Sequence, residues 1–139
     1  MKETILMILG AAGAAIAAVY GGWTTAMTTL LIFMGIDYLS GIVVAAVFKN
    51  SPKSENGALE SRAGWKGLIR KGMTLLIVLI AARIDVLLDT TYFRDATCIA
   101  FIVNETLSII ENAGLMGVPI PEAIKKAIEL LKRKEEQPE

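Results

Sequence analysis

Four stretches of this chain are long, apolar and nearly free of charge. Residues 4–20 carry no charged side chain, residues 24–48 carry only Asp37, residues 72–88 carry Arg83 and Asp85, and residues 95–115 start apolar and turn polar in their second half. A helix of about 20 apolar residues crosses the hydrocarbon core of a bilayer, with a range of about 17 to 25, so each stretch is long enough to span. A soluble fold would have to bury all four. A domain of 139 residues has too little interior for that when 54% of the chain is apolar and only 20% charged. The sequence therefore predicts an all-α integral membrane protein with three to four transmembrane helices and a C-terminal amphipathic basic helix. The membrane region covers residues 1–115, with spans at 4–20, 24–48, 72–88 and 95–115 and a loop at 49–71; residues 116–139 form the amphipathic helix and a charged tail.

Absent residue types exclude whole classes of function. There is no histidine, which removes imidazole zinc ligands, Ser-His-Asp triads and His proton relays. The single cysteine, Cys98, cannot form an internal disulfide. Lys and Arg total 14 and Asp and Glu total 14, so the chain lacks the overall basic field of a nucleic-acid binder. No phosphate loop, paired-cysteine spacing or acidic calcium loop is present, and no cofactor or metal is expected. Carboxylates could serve acid/base chemistry, but no nucleophile elbow, cofactor fingerprint or pocket-forming soluble part accompanies them, so an enzyme is not expected.

The charges that exist are unevenly placed. Residues 49–71 hold Lys49, Lys53, Arg62, Lys66, Arg70 and Lys71 against Glu55 and Glu60, the tail adds Lys125, Lys126, Lys132, Arg133 and Lys134, and the Gly21-Gly22-Trp23 link has no charge. The positive-inside rule puts the central loop and the C-terminus in the cytoplasm. With four spans, Tyr20, Trp23, Tyr92 and Phe93 fall at the outer links, where an aromatic belt belongs. Two alternatives give three spans. Lys2, an apolar run and Ala15-Ile16-Ala17 imitate a cleavable secretory signal, or the fourth segment lies flat on the surface. Trp65, Lys66, Arg70 and Lys71 suggest a surface-lying piece of the central loop, a solvated loop being the duller alternative. Met7 offers a second start that drops Lys2 and Glu3.

Within the spans, a polar minority stands out. Gly10, Ala14 and Ala18 recur every fourth residue, as do Gly13, Ala17 and Gly21, giving a flat face for close helix contact, either against the second helix or against another copy. Asp37 sits midway along the second span, where a charge costs about 2.5 to 3.5 kcal/mol, and is followed by Ser40 and Gly41 on the same face. Arg83 is the only cation inside any predicted span, and an Asp37–Arg83 pair is the expected compensation. Asn104, Ser108, Glu111 and Asn112, at i, i+4, i+7 and i+8 with Glu105 beside them, form a polar stripe on an otherwise apolar helix. Repeated around an oligomer, that stripe would line a hole. Beyond it, Pro121 opens a helix in which Ile124, Ala127, Ile128 and Leu131 share one face and lysines another, suited to the membrane surface or to packing under the bundle.

In order and spacing these residues resemble the toxin-secretion and phage-lysis holins, small membrane proteins of phages of Gram-positive hosts and of some toxin loci. The resemblance begins at Asp37-Tyr38-Leu39-Ser40-Gly41 and resumes with Ser61, Gly64, Gly67 and Lys71. It is most specific in Asn104-Glu105-x-x-Ser108-Ile109-x-Glu111-Asn112, followed by Gly117-x-Pro119-x-Pro121, and covers roughly residues 30–131. It implies a protein of the bacterial cytoplasmic membrane that self-associates in the bilayer into non-selective lesions, through which a cell-wall hydrolase or a large toxin leaves the cell. Members are often drawn with three spans. The competing classes are a narrow ion channel or small transporter, distinguished by solute-size cutoff, and a pore-less antiholin, distinguished by whether expression alone collapses the membrane potential.

Overall fold

In lipid every backbone N–H and C=O must find a partner within the chain, so uncharged apolar stretches become helices. The computed structural model describes residues 1–136, in which five helices follow one another: α1 (Lys2–Val19), α2 (Thr25–Ala46), α3 (Ser61–Leu88), α4 (Tyr92–Leu115) and α5 (Glu122–Glu136). The fold is all-helical, as expected. Three helices, α1, α2 and α4, are long and apolar enough to cross a membrane. The longest, α3, has an apolar part that follows Lys71 and contains Arg83 and Asp85.

Local chemistry sets the ends. Thr24 caps α2, its hydroxyl accepting the Met27 N–H at 3.3 Å. α3 stops at Asp89, which takes the left-handed conformation at φ 52°. Its three-residue link to α4 is held by Asp85, whose Oδ1 accepts from the Thr90 hydroxyl (2.7 Å) and the Phe93 N–H (2.9 Å) while Oδ2 accepts the Arg94 N–H (2.9 Å). One buried carboxylate thus satisfies the first donors of α4, where the helix dipole also favours it.

Helices α2, α3 and α4 form the bundle, α4 touching both of the others and α5 as well. Met27, Leu30 and Met34 of α2, Val78 of α3, and Cys98 and Ile102 of α4 make the buried apolar cluster. Around it Leu31, Ile32, Ile36, Leu39, Leu76 and Ile80 face outward, a surface that lipid covers favourably. α1 stands apart. It has no buried residue, approaches only α3 along its length, and is anchored at its end by the Tyr20 hydroxyl, which donates to the Leu75 carbonyl at 2.7 Å.

Two expectations about layout change. The central loop, expected over 49–71, is shorter, because residues 61–71 are the opening turns of α3. The connection between Val47 and Glu60 folds on itself, with Ser51 N–H bonded to the Gly57 carbonyl at 2.9 Å. Gly57 has φ +78° and a Cβ there would overlap the Lys49 carbonyl, so only glycine closes the turn. The second change concerns α5, which packs along the bundle rather than under it. It folds back on α4, burying Ile128 and setting Leu131 against the apolar cluster.

Candidate functional site

The register of α2 against α3 decides which charges meet. Leu30 and Val78 share the core cluster, and Tyr38 on α2 reaches Gly64 and Gly67 on α3; its ring lies 3.6 Å from where a Gly67 Cβ would be, and its hydroxyl donates to the Gly64 carbonyl at 3.3 Å. Between these contacts Asp37 is level with Lys71. The Lys71 ammonium donates to Asp37 Oδ2 at 2.8 Å and to Glu105 Oε2 at 2.8 Å, joining all three helices of the bundle. Asn112 closes the cluster from α4: its Nδ2 donates to Asp37 Oδ1 (3.1 Å), the Asp37 carbonyl (3.2 Å) and Ser40 Oγ (2.8 Å). Asp37 and Asn112 are each only 6% exposed.

The expected Asp37–Arg83 pair is therefore not formed. Arg83 lies 12 residues beyond Lys71, about 18 Å further along α3 at 1.5 Å per residue, and is exposed. The pairing assumed that α3 begins near Gly72; because it begins at Ser61, a different cation comes level with Asp37. Lys71, expected at the membrane surface with Trp65, Lys66 and Arg70, is instead the interior cation. Trp65, Lys66 and Arg70 are exposed. A signal for this was present in the sequence: Gly64, Gly67 and Lys71 recur at i, i+3 and i+7, a smooth helix face ending in a charge.

The stripe of α4 separates into two faces. Glu105, Ser108 and Asn112 point inward and continue the apolar line of Cys98 and Ile102, whereas Asn104 and Glu111, seven residues apart, are exposed on another side. A rise of 1.5 Å per residue puts Glu105 about 20 Å from the start of α4, and Asp37 and Lys71 about 20 to 25 Å from the matching ends of α2 and α3. In a hydrocarbon core of about 30 Å those distances leave the cluster about 5 to 10 Å from the opposite face. It holds two carboxylates and one ammonium, a net charge of −1 if all are ionised. Such an arrangement is tolerated only where water or further donors reach it. A cleft of about 460 Å³ opens beside it, with Asp37, Lys71, Glu105 and Ser108 at one end and Lys53, Glu60, Lys66 and Arg70 among the residues of its other walls.

Among the described residues the small-residue face of α1 finds no partner. Nothing lies within 4 Å of a Cβ built at Gly10 or Gly13, and Ala14 and Ala18 are exposed with them while Ala17 is half-buried. Packing against α2 does not occur. Gly21 serves the turn into α2 at φ +78°, and Gly41 sits at the α2–α4 contact, its Cβ position 3.8 Å from Asn112 Nδ2. At the same end as Gly21, Arg94 is a tether that sequence reasoning missed. Its Nη1 donates to the carbonyls of Tyr20 (2.8 Å), Gly21 (3.1 Å) and Gly22 (3.2 Å), binding α4 to the end of α1.

A lipid-facing apolar exterior around a buried three-helix ion cluster defines a multi-span helical membrane protein. Residues 14–133 match the Bacteriophage holin family, and the chain belongs to it. Among its relatives, an uncharacterized protein of Halalkalibacterium halodurans is 40% identical over 125 residues, covering 86% of this chain and 87% of the relative. An uncharacterized 14.9 kDa protein in the nagH 3' region of Clostridium perfringens is 37% identical over 118 residues, 84% of this chain and 83% of the relative. A protein of Bacillus phage phi105 named "Probable holin" is 33% identical over 109 residues, 78% of this chain and 75% of that protein. No solved structure matches the chain.

Proposed function

We propose that this chain is a holin in the full sense: copies assemble in a bacterial cytoplasmic membrane and open a wide, unselective aqueous lesion, with the 47–60 connection and the turn between α4 and α5 on the cytoplasmic side. The observation that carries this is the α4–α5 hairpin. An amphipathic helix packs along a helix apolar enough to span, Ile128 and Leu131 turned inward, while Lys126, Glu129 and Arg133 face away from the bundle. At membrane depth each such charge costs about 2.5 to 3.5 kcal/mol against lipid. Water shared between several copies removes that cost. The exposed Asn104 and Glu111 of α4 add polar surface beside it. In this mechanism the Asp37–Lys71–Glu105–Asn112 cluster keeps each protomer closed as a bundle, the uncovered small-residue face of α1 brings protomers together, and the α4–α5 surfaces turn to a common lumen. A cell-wall hydrolase or a large toxin is the cargo.

The test is reconstitution into vesicles loaded with a small dye and a folded protein of about 30 kDa. Both markers should escape above a threshold protein-to-lipid ratio. The Asn104→Leu/Glu111→Leu variant should insert normally and release neither. Release of ions alone would make the chain a narrow channel, and an intact membrane at every ratio would make it a regulatory partner.

A further inference from the structure

We infer that the cleft beside the ion cluster is a binding site for a phosphate-bearing anion, and that its natural occupant is the headgroup of an anionic phospholipid. The cleft has a volume of about 460 Å³ and two kinds of wall. Lys53 of the central connection and Lys66 and Arg70 of α3 supply three cations, and among the described residues none of the three has a carboxylate within 4 Å. Ile42 and Ala45 of α2, with Leu59, supply an apolar surface opposite in kind.

The acidic residues of the same cleft offset these cations only in part: the Asp37–Lys71–Glu105 cluster carries −1 if all are ionised and Glu60 adds a second negative charge, which leaves the lining at +1. Asp37 and Glu105 are already engaged by Lys71, and Glu60 is the remaining carboxylate in the lining. Glu60 stands at the first turn of α3 without using its side chain as a cap, so the free N–H groups of that turn add to the cationic field. A basic pocket between membrane helices at the polar boundary recognises an anionic headgroup. The apolar wall has no use for free phosphate but suits the glycerol and upper acyl carbons of a lipid. The cytoplasmic placement proposed above bears only on which leaflet supplies the lipid.

The experiment uses the full chain in mild detergent micelles, titrated with phosphatidylglycerol, phosphatidylcholine or glycerol phosphate, with bound molecules counted by native mass spectrometry. Phosphatidylglycerol should bind and phosphatidylcholine should not. Lys53→Gln/Lys66→Gln/Arg70→Gln should weaken phosphatidylglycerol about 100-fold, the weight of three cations at an anionic surface. A control with equal charge loss elsewhere, Lys2→Gln/Lys49→Gln/Lys134→Gln, should bind as the wild type does. Circular dichroism confirms that each variant remains helical. Equal competition by glycerol phosphate would overturn the lipid assignment and leave a phosphate site. Unchanged binding in the cleft variant, or equal loss in the control, would overturn the site itself. Because binding is read without any leakage measurement, its failure is separable from failure of the lesion mechanism.

Discussion

Replacing Lys71 with Met is the sharpest perturbation of this bundle. The side chain is 17% exposed and its ammonium makes both of its hydrogen bonds, at 2.8 Å, to the carboxylates of Asp37 (7% exposed) and Glu105 (13% exposed). A hydrogen bond to a charged group contributes about 1.5 to 3 kcal/mol, so two of them set a loss of about 3 to 6 kcal/mol. Removing one partner of a buried ion pair costs about 3 to 5 kcal/mol by itself, in the same range. Much of this cost is the penalty of two carboxylates left facing each other. The neutral triple variant Lys71→Met/Asp37→Asn/Glu105→Gln should therefore recover most of it, because a buried ion cluster replaced as a unit is near neutral. Unfolding in mixed detergent micelles at increasing mole fraction of dodecyl sulfate, followed by circular dichroism, measures both variants. Arg83→Gln is the contrast: the side chain is exposed, and the midpoint should not move. Equal shifts for Lys71→Met and Arg83→Gln, or a triple variant no better than the single one, would refute the register on which the cluster rests.

Other consequences can be measured in the same preparation. Asp85→Ala removes the acceptors of the Phe93 and Arg94 N–H groups and should cost about 1 to 2 kcal/mol as a lost helix cap, with faster amide exchange confined to the first turn of α4. Asn112→Leu deletes donors to Asp37 and Ser40 and should destabilise by about 1 to 3 kcal/mol; in vesicles it should lower the density at which leakage begins. At Gly10 and Gly13 an added Cβ meets nothing within 4 Å, so in Gly10→Leu/Gly13→Leu the unfolding midpoint should stay fixed while chemical cross-linking between copies falls. Gly64→Leu should be costly, since a Cβ there already lies 3.3 Å from the Tyr38 hydroxyl oxygen.

Helical periodicity and hydropathy were enough to find the helices. Residues 4–20, 24–48 and 95–115 anticipated α1, α2 and α4 closely, because in lipid an uncharged stretch has no other way to satisfy its backbone. The opening of α3 was harder to see. Residues 61–71 carry Arg62, Lys66, Arg70 and Lys71, and by charge alone they look like a loop. Their glycines at 64 and 67 become meaningful only with the Tyr38 ring against them. Likewise the α4 stripe was visible as a set of polar residues, but its separation into an inward group (Glu105, Ser108, Asn112) and an outward pair (Asn104, Glu111) depends on where α2 and α3 lie.

By itself, then, the amino-acid sequence determined the material: that the chain is built of several apolar helices, that a few polar groups must sit within them, and which family arrangement those groups resemble. These follow from local physics, since hydropathy and backbone hydrogen bonding act along the chain. Tertiary structure alone decided the partners. Whether Asp37 meets Lys71 or Arg83 is a matter of register between antiparallel helices, and a shift of 12 residues along α3 moves the cation about 18 Å. A charge-assisted hydrogen bond closes only at about 3 Å between donor and acceptor, so the contact that holds the bundle together emerges only when the helices are set side by side.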